Sequence, residues 1–108
     1  MTRRLVDESD RADGRTVDAI LNEDGDLVIR GVDWGPTVER MFERDEYEFA
    51  YTVRRRDLEA FAALASIEPS RLLDDLADKW AGDRFGELAQ LLLQDPGERG
   101  FSVEFWSF

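Results

Sequence analysis

Twenty-five carboxylates and not one histidine or cysteine set the chemistry open to this 108-residue chain. Without an imidazole or a thiol it has no Ser-His-Asp or Cys-His nucleophile and no zinc site of ordinary composition. What remains is carboxylate chemistry, either a pair of acids or a Mg²⁺ or Mn²⁺ site. With so many acids some fall close together by chance. Asp74, Asp75 and Asp78 read as the solvated face of a helix whose other face carries Leu73, Leu76 and Ala77, with Asp75 and Lys79 as an i, i+4 ion pair. Asn22-Glu23-Asp24-Gly25-Asp26 is rich in oxygen ligands, but it lacks the twelve-residue spacing and closing Glu of an EF-hand, so a hairpin turn is the simpler reading. Gly31-Val32-Asp33-Trp34-Gly35 has neither the GxGxxG spacing nor the Lys-Ser/Thr of a phosphate loop. No catalytic residue, metal ligand or cofactor is therefore assigned.

One constellation suits recognition better than catalysis. Asp33, Trp34, Glu39, Glu43, Asp45, Glu46 and Glu48 combine a loop bounded by glycine and proline, a tryptophan and the polar positions of an alternating segment. Acids around an aromatic anchor are what a basic protein partner would meet. The competing structural reading is a solvated sheet face with Trp34 tucked into the core. Phe105, Trp106 and Phe108 pose a similar choice, because alternation turns either Phe105 or Trp106 away from the core. Arg54-Arg55-Arg56 is the one basic run, and it reads as a set of partners for nearby carboxylates.

Charge narrows the partners. A formal net charge of −11 repels nucleic acid and anionic membranes, whose binding depends on lysine and arginine. Thirteen of the 14 basic residues are arginine, which suggests a GC-rich genome or a high-salt cytoplasm. Acidity that reflects a partner and acidity that reflects the salt are not distinguished by composition, and oligomeric state is left open. No apolar run approaches the roughly 18 residues of a membrane span. The start Met1-Thr2-Arg3-Arg4-Leu5-Val6-Asp7-Glu8 turns acidic without an apolar region, unlike a signal peptide. With no cysteine to oxidise, a cytoplasmic address is expected.

These residues have to be positioned by a single core, since the chain is too short for two. Residues 1–14 are expected to be a flexible arm or a short edge strand around Leu5-Val6, and 15–108 one α+β domain. Thr16–Leu21 and Leu27–Val32, rich in β-branched residues and separated by an Asp-Gly turn, predict a hairpin. Val38–Phe42 predicts a helical turn or bent segment. Glu46–Val53 alternates, with Tyr47, Phe49, Tyr51 and Val53 on one face, which predicts a half-buried antiparallel strand. Helical spacing then appears three times: Leu58/Phe61/Ala62/Ala65, Leu73/Leu76/Ala77/Trp80 and Phe85/Leu88/Ala89/Leu92. Asp57, Pro69 and Gly82 punctuate these stretches, each expected to run about 9 to 12 residues. Phe101–Phe108 alternates again as a final strand. The expected fold is α+β: an antiparallel sheet of three to five strands, covered on one face by three helices. The C-terminal strand should return to the sheet inside or beside the hairpin.

The runs Leu27–Gly35, Val38-Glu39, Asp45–Phe49 with Thr52-Val53, and Phe101–Ser107 together resemble a family of small acidic actinobacterial proteins across roughly residues 26 to 108. Proteins of that kind are often immunity proteins of polymorphic toxin systems. By analogy with these, and on size, acidity and the lack of catalytic side chains, the expected function is a non-catalytic protein-binding module, an immunity protein or inhibitor of a basic toxin or nuclease; the resemblance carries over no catalytic residue. Two rivals keep the same composition: a DNA-mimic regulator with carboxylates in rows, and a carboxylate- or Mg²⁺-dependent enzyme with acids converging in a pocket.

Overall fold

The Asp-Gly hairpin organises the first half of the chain. In the computed structural model, which describes residues 1–9, 12–42 and 46–107, strands β2 (Gly14–Leu21) and β3 (Leu27–Trp34) pair from Gly14↔Trp34 to Leu21↔Leu27. The Asn22 side chain closes the turn, its Oδ1 accepting the backbone N–H groups of Asp24 and Asp26 at 3.0 Å each. Such Asx geometry offers the backbone a ready turn where the ladder ends. On one side of the hairpin lies β1 (Thr2–Asp7), an edge strand with an irregularity between Arg4 and Val6 that leaves both Leu5 and Val6 buried. On the other side lies β4 (Glu46–Val53), in register with β3 along its whole length. A short helix, α1 (Pro36–Phe42), links β3 towards β4, so the expected helical turn at Val38–Phe42 is a helix that begins two residues earlier.

After β4 the period changes and the helices follow: α2 (Leu58–Ala65), α3 (Leu72–Lys79) and α4 (Phe85–Leu92). Each has eight residues, and each is preceded by a three-residue 3₁₀ turn, at Arg55–Asp57, Pro69–Arg71 and Gly82–Arg84. The helices are thus shorter than the 9 to 12 residues expected, because the entry turn is wound more tightly. Asp57 makes no side-chain capping bond. A four-residue helix, α5 (Pro96–Arg99), capped by the Asp95 carboxylate on Gly97 N, follows α4 and was not expected from the sequence.

The final strand, β5 (Glu104–Ser107), pairs antiparallel with β4, and the sheet order is β1-β2-β3-β4-β5. It therefore returns to the sheet as expected, but on β4 and not inside or beside the hairpin. Both edges of β2 and of β3 are taken, which leaves the outer edges of β1 and β4, and the last strand takes that of β4. The fold is α+β, with an open antiparallel sheet and α2, α3 and α4 on one face.

The core lies between that face and the helices. Val17, Ala19, Leu27, Ile29, Phe49, Tyr51 and Val53 meet Phe61, Ala65, Leu73, Leu76, Trp80, Phe85, Leu88 and Leu92, all buried, with Tyr47 partly buried at the margin. Trp80 satisfies its indole N–H on Ala65 O at 2.9 Å, which lets a large polar-tipped ring sit inside. Arg99 is also buried, donating from Nε to Phe101 O at 2.7 Å and from Nη1 to Leu92 O at 2.8 Å and to Gln94 O. It thereby serves carbonyls freed at the C-terminus of α4, where a cation is favoured.

Candidate functional site

Pleating sorts the expected recognition residues between the two faces of the sheet. Register places Trp34, Glu46 and Glu48 on the face away from the helices, together with Thr16, Asp18, Ile20, Val28, Arg30, Val32, Ala50 and Trp106. Asp33, one residue from Trp34, falls on the helix side. There it holds Arg15, its cross-strand neighbour, with Nε–Oδ1 at 2.6 Å and Nη2–Oδ2 at 3.0 Å. Glu39 stands exposed on α1. Glu43 and Asp45 lie outside the described residues. The expected cluster is thus three residues of the open face, one on α1 and one across the sheet.

Trp34 is neither fully exposed nor in the core. Its ring lies over Gly14, where an added Cβ would come within 2.2 Å of it. Beside it a cleft of about 290 Å³ runs between Trp34, Asp13, Thr37 and Val38. Asp13 ties the far wall down, accepting Thr37 N at 3.1 Å and Thr37 Oγ1 at 2.8 Å, and these two bonds hold its carboxyl below the usual range.

Charges on the open face alternate in sign. Arg4 bonds Asp18 at 2.6 Å, Arg30 stands opposite Asp18 and Ala50, and Glu104 is engaged by Arg54. Glu46 and Glu48 form no ion pair among the described residues. Trp106, opposite Ala50, is 40% exposed. The alternation in the sequence foresaw that one of Phe105 and Trp106 would leave the core side. Trp106 does so, while Phe105 meets the Tyr51 ring at 5.0 Å.

The other acid clusters are committed to structure. Asp26, though in the turn, is buried; its Oδ1 accepts Arg55 N at 2.8 Å and its Oδ2 accepts Arg54 Nη1 at 3.0 Å. These bonds, the backbone one first, lower its pKa. Arg54 of the basic run thereby bridges the hairpin turn and the start of β5. Asp74 pairs with Arg3 of the edge strand, and Asp75 accepts Glu68 N at 3.0 Å and faces Arg71 at 3.7 Å. Lys79 does not pair with Asp75 as expected. Its Nζ donates instead to Ser66 O at 3.0 Å, where α2 ends in a left-handed residue. Among the described residues no three acids converge where a metal ion could be held. No helix among them is long and apolar enough to cross a membrane.

A feature the sequence reading missed lies on the helix side. Where α4 begins, the helices leave part of the sheet uncovered, and a cleft of about 210 Å³ opens between Arg15, Asp33, Tyr51, Phe85 and Phe105. The Arg15 guanidinium sits 5.8 Å from the Phe49 ring centre. Its pKa is raised, first by the hydrogen bonds to Asp33, and burial raises that of Tyr51. The signal was present: Arg15 and Asp33 sit at equal distances from the Asn22–Asp26 turn, so the hairpin register alone makes them neighbours.

No family model, curated protein or solved structure matches the chain.

Proposed function

We propose that this protein is a non-catalytic protein-binding module, an immunity protein or inhibitor that blocks a basic toxin or nuclease in the cytoplasm. The observation that carries the reading is the uncovered face of the sheet. The sheet presents Ile20, Val28, Val32, Trp34 and Trp106, from β2, β3 and β5, between charged side chains, while α2, α3 and α4 protect the opposite face. A wide, flat surface with aromatic anchors and a charged surround has the make-up of an interface core and rim. The occupant is basic because the chain carries −11, and because Glu46 and Glu48 have no cationic partner among the described residues. Opposite potential would steer encounter and make association fall steeply with salt. The arginines set between the acids favour this reading over a DNA mimic, whose carboxylates should run in phosphate-like rows.

The test couples capture to kinetics. Immobilised protein should retain a basic protein from native lysate, and the purified pair should show loss of the partner's toxic or nuclease activity. Glu46→Lys with Glu48→Lys should slow association and flatten its salt dependence. Trp34→Ala should chiefly speed dissociation, by a factor equivalent to about 2 kcal/mol if the ring is a hot spot. Unchanged kinetics in both variants, with circular dichroism of the parent, would reject this face as the interface.

A further inference from the structure

The cleft on the helix side shares Arg15 and Asp33 with the cleft beside Trp34, but its aromatic lining of Tyr51, Phe85 and Phe105 belongs to the other face of the sheet, and its chemistry is of another kind. We infer that it is a binding site for a small planar ring bearing a single carboxylate, with Arg15 as the anion receptor and Tyr51 and Phe105 as the ring platform. Three observations converge. Asp33 takes the side edge of the guanidinium through Nε and Nη2, at 2.6 and 3.0 Å. That grip orients the planar fork and leaves its end edge, Nη1 with the outer hydrogen of Nη2, for a second carboxylate in the bidentate geometry arginine favours. Arg15 is also reachable: its side chain is 42% exposed, whereas Asp33 behind it is 18% exposed.

The walls supply the second requirement. Phe105 stands 5.0 Å from Tyr51, their planes inclined at 41°, and both line the cleft with Phe85; Tyr51 and Phe85 are themselves buried, so Phe105 supplies most of the accessible ring surface. Phe105 is 47% exposed although it lies on the covered side of the sheet, so an apolar surface at this point stays in contact with water. A ring entering there would cover it and gain offset or edge contacts. Size selects a small guest. About 210 Å³ lies below the usual range of small-molecule sites, roughly 300–1,000 Å³, and suits one ring with a short substituent.

Charge selects the monoanion. Arg15 already shares its charge with Asp33, and Glu8 adds a further negative field at the same guanidinium. In a domain of net charge −11, a phosphate or dicarboxylate would be repelled more strongly than a group of single charge.

Titration of ¹⁵N-labelled protein with sodium benzoate, at fixed ionic strength, tests the site. The amides of Gly86, Ala89 and Phe105 should shift and saturate with a Kd on the order of 1 mM, as fits so small a ligand. Benzyl alcohol, which keeps the ring, and acetate, which keeps the charge, should each bind at least about tenfold more weakly. Arg15→Lys keeps a partner for Asp33 but loses the fork, and should weaken benzoate about tenfold while leaving benzyl alcohol unchanged. Phe105→Ala, at an exposed position, should weaken both ring compounds. The site is refuted by any of three results: absence of saturable benzoate shifts at these amides, benzyl alcohol or acetate binding as tightly as benzoate, or parent-like benzoate affinity in Arg15→Lys. None of these measurements involves the open face, so the two proposals stand or fall separately.

Discussion

The two faces of the sheet share strands, register and even a local device, yet they behave as different materials. On the helix side Phe49 lies over Gly31, where a Cβ would come within 2.1 Å of the ring. On the open side Trp34 lies over Gly14 at 2.2 Å. In both places an aromatic ring shields a cross-strand glycine, which offers no side chain of its own to pack. The surroundings differ. Phe49 is held by the Tyr51 and Phe85 rings, 5.9 and 6.4 Å away, and is 6% exposed. Trp34 is half-buried and borders an open cleft. A buried ring held by two others fixes structure, and a half-buried ring beside an open cleft remains available for contact.

The strongest way to break the symmetry is Phe49→Ala. Loss of a large buried ring from a close-packed core costs about 3–5 kcal/mol, a large share of a small domain's stability. Thermal or urea unfolding should show severe destabilisation, and a melting temperature within a couple of degrees of the parent would contradict the packing described.

A milder pair compares the glycines directly. Gly31→Ala forces a methyl group against a buried ring that Tyr51 and Phe85 hold in place, and overpacking of this kind costs about 1–3 kcal/mol. Gly14→Ala meets a half-buried ring with open space beside it, and alanine also suits a strand better than glycine. Its stability should stay within about 1 kcal/mol of the parent. Equal urea midpoints for the two variants would show that the faces are equally rigid.

The smallest effect is expected at the strand ends, where Asp26 joins the turn to Arg55 N and Arg54. Its folded-state pKa is depressed, so the unfolded chain takes up the proton first as pH falls. The stabilisation is therefore complete above the usual carboxylate range and disappears as pH drops through the lowered folded value. Asp26→Asn should lower the melting temperature at pH 7, and the gap to the parent should narrow under acid conditions. A gap that is constant from pH 7 to strongly acid solution would mean that the charge of Asp26 adds nothing to its hydrogen bonds.

Much of this architecture was legible in the sequence because it rests on short-range periodicity. Alternation at Tyr47, Phe49, Tyr51 and Val53 assigned the core face of β4, and the i, i+3, i+4 spacing of Phe61, Leu73, Leu76, Phe85 and Leu88 assigned the buried side of each helix. Those patterns record which side chains must leave water, and that requirement acts within a few residues. The candidate recognition site was less legible. Asp33 and Trp34 are adjacent in the chain and were grouped for that reason, but the same period of two that identified β4 sends them to opposite faces. Cross-strand pairing, which the spacing around the turn already implied, joins Asp33 to Arg15 instead.

What tertiary structure alone decided is where distant segments meet. The pairing of β5 with β4, the bridge from Asp26 through Arg54 to Glu104, and the cleft where Phe105 faces Arg15 each unite residues far apart in the chain. No local pattern encodes such meetings, because they depend on which sheet edge is vacant and on how far the helices reach across the sheet. The sequence by itself determined the elements and the faces they bury, since hydrophobic burial selects among local periods. The placement of those elements, and the surface left over once they had packed, came from the competition of the whole chain for one small core.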